Sequence, residues 1–262
     1  MLSTLPEKDL NAPSTPSRVQ SFWGHLGEFR SLLIQSFCLW LLACTVAAFC
    51  FPFLAKGMNW PLLEAAKKNP ELLQGLVTNS PMGVFSVLFQ ICFFGGTGLS
   101  LPFILVLWAR FLGPALSMRE KKLLLPLAIG AFVLFFVGAC FSYFWVVPAS
   151  LSFSMELNKL FGFKLIWSAA DYYRLVCWMS LGIGLCFEFP LVVLGLLAGG
   201  LVSVAKFKSI RGYMLLGILI VGAAIIPGGD PLSLILLAGP LYGSYELVLF
   251  VGNRLEKRKN KA

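Results

Sequence analysis

The chain has 262 residues, 58% of them hydrophobic and 13% charged, with a mean hydropathy of +0.83 and a formal net charge of +9. Soluble domains carry about a quarter charged residues, so this composition excludes an ordinary soluble enzyme and indicates a polytopic helical membrane protein. P-loop, HExxH and GxSxG patterns are absent, the single histidine excludes a multi-histidine metal site, and no nucleophile has a recognisable base partner.

Residues 1–21 are polar and rich in Ser and Pro, lack the apolar core of a cleavable signal peptide, and read as a disordered tail. Phe22, Leu26, Phe29 and Leu33 then recur at helical spacing beside Trp23, predicting an interfacial helix that continues into the membrane. Six apolar runs follow: Leu32–Ala55, Val84–Ala109, Leu123–Ser150, Tyr172–Gly199, Tyr213–Ile226 and Leu232–Val251. The fifth is short, about 21 Å at 1.5 Å per residue, which implies local bilayer thinning or shielding by protein. These runs define a membrane domain over 22–251, followed by a basic tail over 252–262.

The connections carry their own signals. Asn59-Trp60-Pro61 and Ser80-Pro81 each place Pro near a helix start, and Leu62, Leu63, Ala66 and Leu73 suggest a short surface helix between them. Phe153, Phe161, Phe163 and Trp167 suit an interfacial aromatic belt. Pro102, Pro148, Pro190 and Pro240 predict kinks, and Gly195 with Gly199 forms one GxxxG pattern for close packing. All seven cysteines fall in apolar spans and read as small packing residues without metal or disulfide chemistry.

Fifteen of the 21 Lys and Arg residues lie in the N-terminal segment, the second and fourth connections and the C-tail. By the positive-inside rule both termini are cytoplasmic, and the net charge is mostly this bias, not a nucleic-acid footprint.

Four constellations carry candidate chemistry. His25, Glu28 and Arg30 ride on the first helix, where an interfacial anchor is the simpler reading. Glu120 lies among Arg119, Lys121 and Lys122 in the loop that follows Phe111. It either neutralises a neighbour, worth less than about 1 kcal/mol on a surface, or offers a carboxylate to an incoming guanidinium. Glu188 is the only acid between Tyr172 and Gly200, and a charge at the bilayer centre costs about 2.5–3.5 kcal/mol on insertion scales. Its readings are an interhelical hydrogen bond from the protonated side chain, a proton relay, or a polar point in a hydrated cavity. Asp230, in the turn Pro227–Pro231, is a candidate cap for the last helix, and Glu246 is placed to pair with Arg254 or the C-tail.

In order, HLGEFRSLLI, FLGPALSMREKKLLLP, FSYFWVVPASLSF, GLCFEFPLVV, IPGGDPLS and LAGPLYGSYE resemble the landmarks of the TatC family, the multispanning subunit of the twin-arginine (Sec-independent) protein translocase. The resemblance runs from about Phe22 to Glu246 and implies an all-α integral membrane fold of six helices in a glove-shaped concave bundle. It implies a non-enzymatic receptor for twin-arginine signal peptides in the bacterial cytoplasmic (inner) membrane. The implied partners are single-span proteins of the TatA and TatB type, further copies of the chain, and folded cargo moved at the expense of the proton-motive force. No cofactor is implied. Residue by residue, it assigns signal-peptide binding to Glu28, Arg30, Phe111 and Glu120, the concave wall to Glu188 and an outer-loop partner contact to Asp230. Two positions depart from the pattern: Gly228 and Gly229 follow Pro227 where a second proline is usual, and Leu234 stands where Gln is common. The rival class is a proton-coupled secondary transporter of a small solute, with Glu188 as the coupling acid.

Overall fold

The computed structural model describes residues 18–67, 75–112, 118–163, 166–200 and 202–259; within these, the side chains of 18–25, 109–110, 112, 118–124 and 255–259 lie outside the description. The elements in order are α1 (Arg18–Phe49), α2 (Phe51–Gly57), α3 (Trp60–Ala66), β1 (Leu76–Val77), α4 (Gly83–Leu112), α5 (Met118–Phe141), a π-helical turn (Ser142–Val146) and α6 (Val147–Leu160). They continue with β2 (Trp167–Ser168), α7 (Ala169–Cys186), α8 (Phe189–Ala198), α9 (Val204–Ser209), α10 (Arg211–Ile225), a 3-10 turn (Pro227–Gly229) and α11 (Pro231–Lys259).

Among the described residues, five stretches are long and apolar enough to cross a membrane: Leu26–Phe49, Gly83–Trp108, Leu125–Leu160, Ala169–Ala198 and Pro231–Arg254. Arg211–Ile225 is a shorter apolar helix, about 22 Å long. Of an apolar 18-residue portion of the first stretch only 17% is buried within the chain, and of the fourth 33%. Side chains such as Phe49, Phe53, Phe85, Phe89 and Ile235 point outward, and an apolar surface of this extent requires lipid as its solvent.

The elements depart from the predicted runs where local chemistry interrupts a helix. The first run breaks at Cys50, and α2 restarts with Pro52 in its first turn. In the third, Pro148 cannot donate to the carbonyl four residues back, and the π turn immediately before it absorbs the misfit before α6 continues to Leu160. The fourth breaks at Phe187–Glu188, with Pro190 in the first turn of α8. Pro102 and Pro240 sit inside α4 and α11. The surface helix at Trp60-Pro61 forms as α3, whereas α4 starts at Gly83, two residues beyond Pro81; Leu73 lies outside the described residues. Residues 1–17 also lie outside them, and α1 begins at Arg18, inside the stretch read as a tail. At the other terminus α11 runs through Lys259 into the basic segment. A two-residue parallel ladder, Leu76 beside Trp167 and Val77 beside Ser168, ties together two connections that the sequence left separate.

Lipid tails are as apolar as leucine, so close van der Waals fit holds these helices together, not expulsion of water. The most intimate pair is α1 with α4. A Cβ on Gly96 would stand 2.4 Å from Cys44 Sγ and 2.6 Å from Cys44 Cα, so only glycine permits this crossing. Trp40 Nε1 donates across it to Thr97 Oγ1 at 3.0 Å. Phe135 of α5 packs against Gly184 of α7, and Phe187, at the break after α7, packs against Gly138 of α5. At Gly195, in the GxxxG pattern, a Cβ would meet its nearest neighbour, Leu127, at an ordinary 3.8 Å.

At the end carrying α2 and α3, three tyrosine hydroxyls clamp the short helices onto the bundle. Tyr143 donates to the Gly57 carbonyl, and Tyr172 donates to Met58 O at 2.5 Å. Tyr173 Oη lies 2.9 Å from Asn59 Oδ1 and 3.3 Å from Ala55 O. At the opposite end a smaller core of Val193, Leu197, Val204, Phe207, Tyr245 and Leu249 seats α8 and α9 on α11. There Glu246 accepts from Arg211 at 2.7 Å and from Tyr242 at 3.2 Å. The expected pairing with Arg254 does not form; that guanidinium lies 4.5 Å over the Phe250 ring. Arg211 reaches Glu246 because α10 packs alongside α11, a proximity that separation in sequence conceals.

Candidate functional site

Helix packing brings two of the sequence constellations together. The close α1–α4 crossing sets the first turns of the first span beside the last turns of the second. Phe29 on α1 meets Trp108 on α4 edge to face, with ring centroids 6.3 Å apart at 89°. It also meets Phe111 at 6.0 Å. Glu28 and Arg30, either side of Phe29 in the chain, are exposed, and Phe111 is half-buried. Glu120 belongs to the first turn of α5, but its side chain is outside the described set. Only residues 113–117 separate α4 from α5, so α5 starts within about 20 Å of the end of α4. His25 lies on α1, and its side chain is likewise outside the description.

This end of the molecule therefore carries the exposed Glu28 next in the chain to an aromatic cluster at the edge of the apolar belt. Chemically, a carboxylate can hold a cation, and aromatic rings can take a cation or an apolar group. Trp108 was not singled out from the sequence. Its one signal was its place at the end of an apolar run, where tryptophan is common for interfacial reasons alone.

Glu188 lies at the break between α7 and α8. Its N–H donates to Leu185 O at 3.1 Å, and its carbonyl accepts from the N–H groups of Leu191 and Val192. The side chain is half-buried, and Oε1 is shielded from solvent without a hydrogen-bond partner among the described residues. Its neighbours in sequence hold the break in place. Phe187 packs on Gly138 and Phe141, and Phe189 stacks on Tyr245 with centroids 6.3 Å apart.

Asp230 is far from this cluster in role. It is only 4% exposed, and both its oxygens are engaged: Oδ1 accepts from the Ser233 N–H at 2.7 Å and Oδ2 from Ser150 Oγ at 2.8 Å. The first bond caps α11, as the sequence suggested, and the second joins α6 to that cap. The two glycines before it account for the departure from a second proline. Gly228 and Gly229 have φ of 75° and 58°, a region closed to proline and open to glycine. Leu234, the other departure, lies against Gly222 of α10. Asp230 also borders a cavity of about 470 Å³ lined by Ser150, Ser154, Trp167, Asp171 and Tyr172 among others.

A family model described as Sec-independent protein translocase protein (TatC) matches residues 24–240. The chain belongs to the TatC family. A TatC from Aquifex aeolicus is 32% identical over 238 residues, covering 90% of this chain and 96% of that relative. One from Synechocystis is 33% identical over 227 residues, covering 86% and 85% respectively. Among solved structures, a crystal structure of the twin arginine translocase receptor TatC in the detergent DDM superposes with a TM-score of 0.74 at 31% identity, covering 87% of this chain and 99% of that one. The TatC match spans both the Glu28 segment and the Asp230 turn. The protein is thus a multi-pass membrane subunit of the twin-arginine protein translocase, with a transport role rather than a catalytic one.

Proposed function

We propose that this chain is the receptor that binds twin-arginine signal peptides at the cytoplasmic surface, through Glu28 on α1 and Glu120 at the start of α5, with Arg30 and Phe111 completing the site. The observation that carries this is the packing of Phe29 against Phe111, which joins the segment of Glu28 and Arg30 to the one leading to Glu120. Arginine stays charged and presents a planar fork, so two carboxylates on converging segments can each hold one guanidinium bidentately. Charge-assisted bonds of this kind contribute about 1.5–3 kcal/mol each when partly desolvated. A lysine pair lacks the fork and binds less well.

The same reading assigns six membrane spans, Arg211–Ile225 being the short fifth, with both termini in the cytoplasm of a bacterium and the chain in its inner membrane. The bias of bases toward one set of connections supports that orientation. The apolar part of the signal lies along the concave helix wall near the half-buried Glu188. Single-span partners of the TatA and TatB type and further copies of the chain complete the machine, and the proton-motive force drives transport of folded cargo. Toward such partners Asp230 acts by fixing the Pro227–Asp230 turn, since its own oxygens are bonded within the chain.

The test is photo-crosslinking of a twin-arginine signal peptide to a probe placed beside Glu120. Strong labelling that falls away with a Lys-Lys peptide and with Glu120→Ala is expected. Equal labelling in all three cases would sink the recognition site.

A further inference from the structure

Carboxylates alone explain only part of a preference for arginine. They reward the guanidinium fork but also accept an ammonium ion. The two cations differ further in that guanidinium is flat, weakly hydrated and stacks on aromatic faces. Two part-exposed rings stand at this end of the molecule. Trp108 is 37% exposed and Phe29 38% exposed, and they meet edge to face at 6.3 Å. In that geometry one ring gives its edge and the other a single face, so the pair retains open faces for a third group. Phe111 also packs on Phe29, with centroids 6.0 Å apart, and Glu28 immediately precedes Phe29 in the chain. Both rings sit at the ends of apolar spans, where partial desolvation strengthens attraction between a cation and a ring. The chain uses this contact elsewhere, at Arg254 over Phe250; among the described residues no cation lies over Trp108.

We propose that Trp108, steadied by Phe29, is a specificity-determining residue of the receptor site: it stacks a guanidinium of the signal peptide and thereby separates arginine from lysine. This rests on the signal-peptide reading above. The structural alternative is that Trp108 is an ordinary interfacial anchor, which would stabilise the chain in the bilayer but would not distinguish one cation from another.

The experiment measures equilibrium binding of fluorescent Arg-Arg and Lys-Lys signal peptides to the full chain in lipid nanodiscs. It compares wild type with Trp108→Leu, Trp108→Phe and Glu28→Gln. Trp108→Leu should weaken the Arg-Arg peptide about 3- to 30-fold and leave the Lys-Lys peptide within about twofold, with Trp108→Phe intermediate because a phenyl ring stacks less strongly. Equal weakening of both peptides, or of neither, overturns the assignment. If Trp108→Leu fails to fold, Trp108→Phe decides by the same criterion: a loss confined to the Arg-Arg peptide supports the stack, and no selective loss overturns it. A wild-type chain indifferent to Arg-Arg and Lys-Lys would defeat the receptor reading itself. A wild-type preference that Glu28→Gln reduces and the Trp108 variants leave intact would remove only Trp108.

Discussion

Replacing Asp230 by alanine should destabilise the chain more than its turn location suggests. Asp230 is a helix cap and a buried acceptor at once. Its Oδ1 accepts the Ser233 N–H at 2.7 Å, and loss of an Asp cap costs about 1 kcal/mol, within a range of 0.5–2. Its Oδ2 accepts from Ser150, which is only 6% exposed, so alanine would also strand a buried hydroxyl at about 1–3 kcal/mol. The two contributions come to roughly 2–4 kcal/mol if the cavity beside Asp230 does not admit a compensating water. Asp230→Asn keeps the shape and a carbonyl oxygen for Ser233, while the Ser150 hydroxyl can rotate to accept from the new amide, so its loss should stay below about 1 kcal/mol. Thermal unfolding in detergent, followed by the fraction remaining monodisperse, reads both variants. A clear loss is expected for alanine and a small one for asparagine. Wild-type stability for Asp230→Ala would refute the lock. A full loss for Asp230→Asn would show that the charge itself is required.

Other substitutions probe the packing and the polar ties. Gly96→Ala should cost about 1–3 kcal/mol by forcing α1 from α4, and Cys44→Ala should not rescue it because the clash includes the Cys44 backbone; the same unfolding assay checks both. Tyr173→Phe should lose about 0.5–1.5 kcal/mol and raise protease sensitivity around α2 and α3, since one of the three hydroxyl clamps disappears. Arg211→Gln and Glu246→Gln should each change stability little, with a coupling of less than about 1 kcal/mol in a double-mutant cycle, because the pair is 44% and 34% exposed. Lengthening α10 by one apolar turn should impair export while signal-peptide binding persists, if the short helix thins the bilayer.

Most of the bundle was legible because spanning helices announce themselves by length and apolarity. The short fifth run, the Trp60-Pro61 helix start and the stripe ending at Leu33 all follow from local pattern. What was not legible depended on a second segment. The fitness of Gly96, Gly138 and Gly184 for close approach is set by Cys44, Phe187 and Phe135 on other helices. Glu246 had an obvious partner two turns along its own helix, yet Arg211 on the neighbouring helix takes it. The Leu76–Trp167 ladder joins two stretches with weak strand propensity and needs the helices to bring them together. The same reason hid Trp108: only the α1–α4 crossing turns it from one belt residue among several into a neighbour of Phe29. Asp230 was legible as a cap, but its second bond, to Ser150, was not.

Complementation of twin-arginine export in a bacterium lacking its own TatC subunit tests the receptor claim most directly, provided matching single-span partners are supplied. The account predicts that the wild-type chain restores export of a folded reporter carrying an Arg-Arg signal. It also predicts that a Lys-Lys signal is exported poorly and that Glu120→Ala abolishes export although the protein accumulates in the membrane. Equal export of the two reporters, or undiminished export by Glu120→Ala, would contradict it.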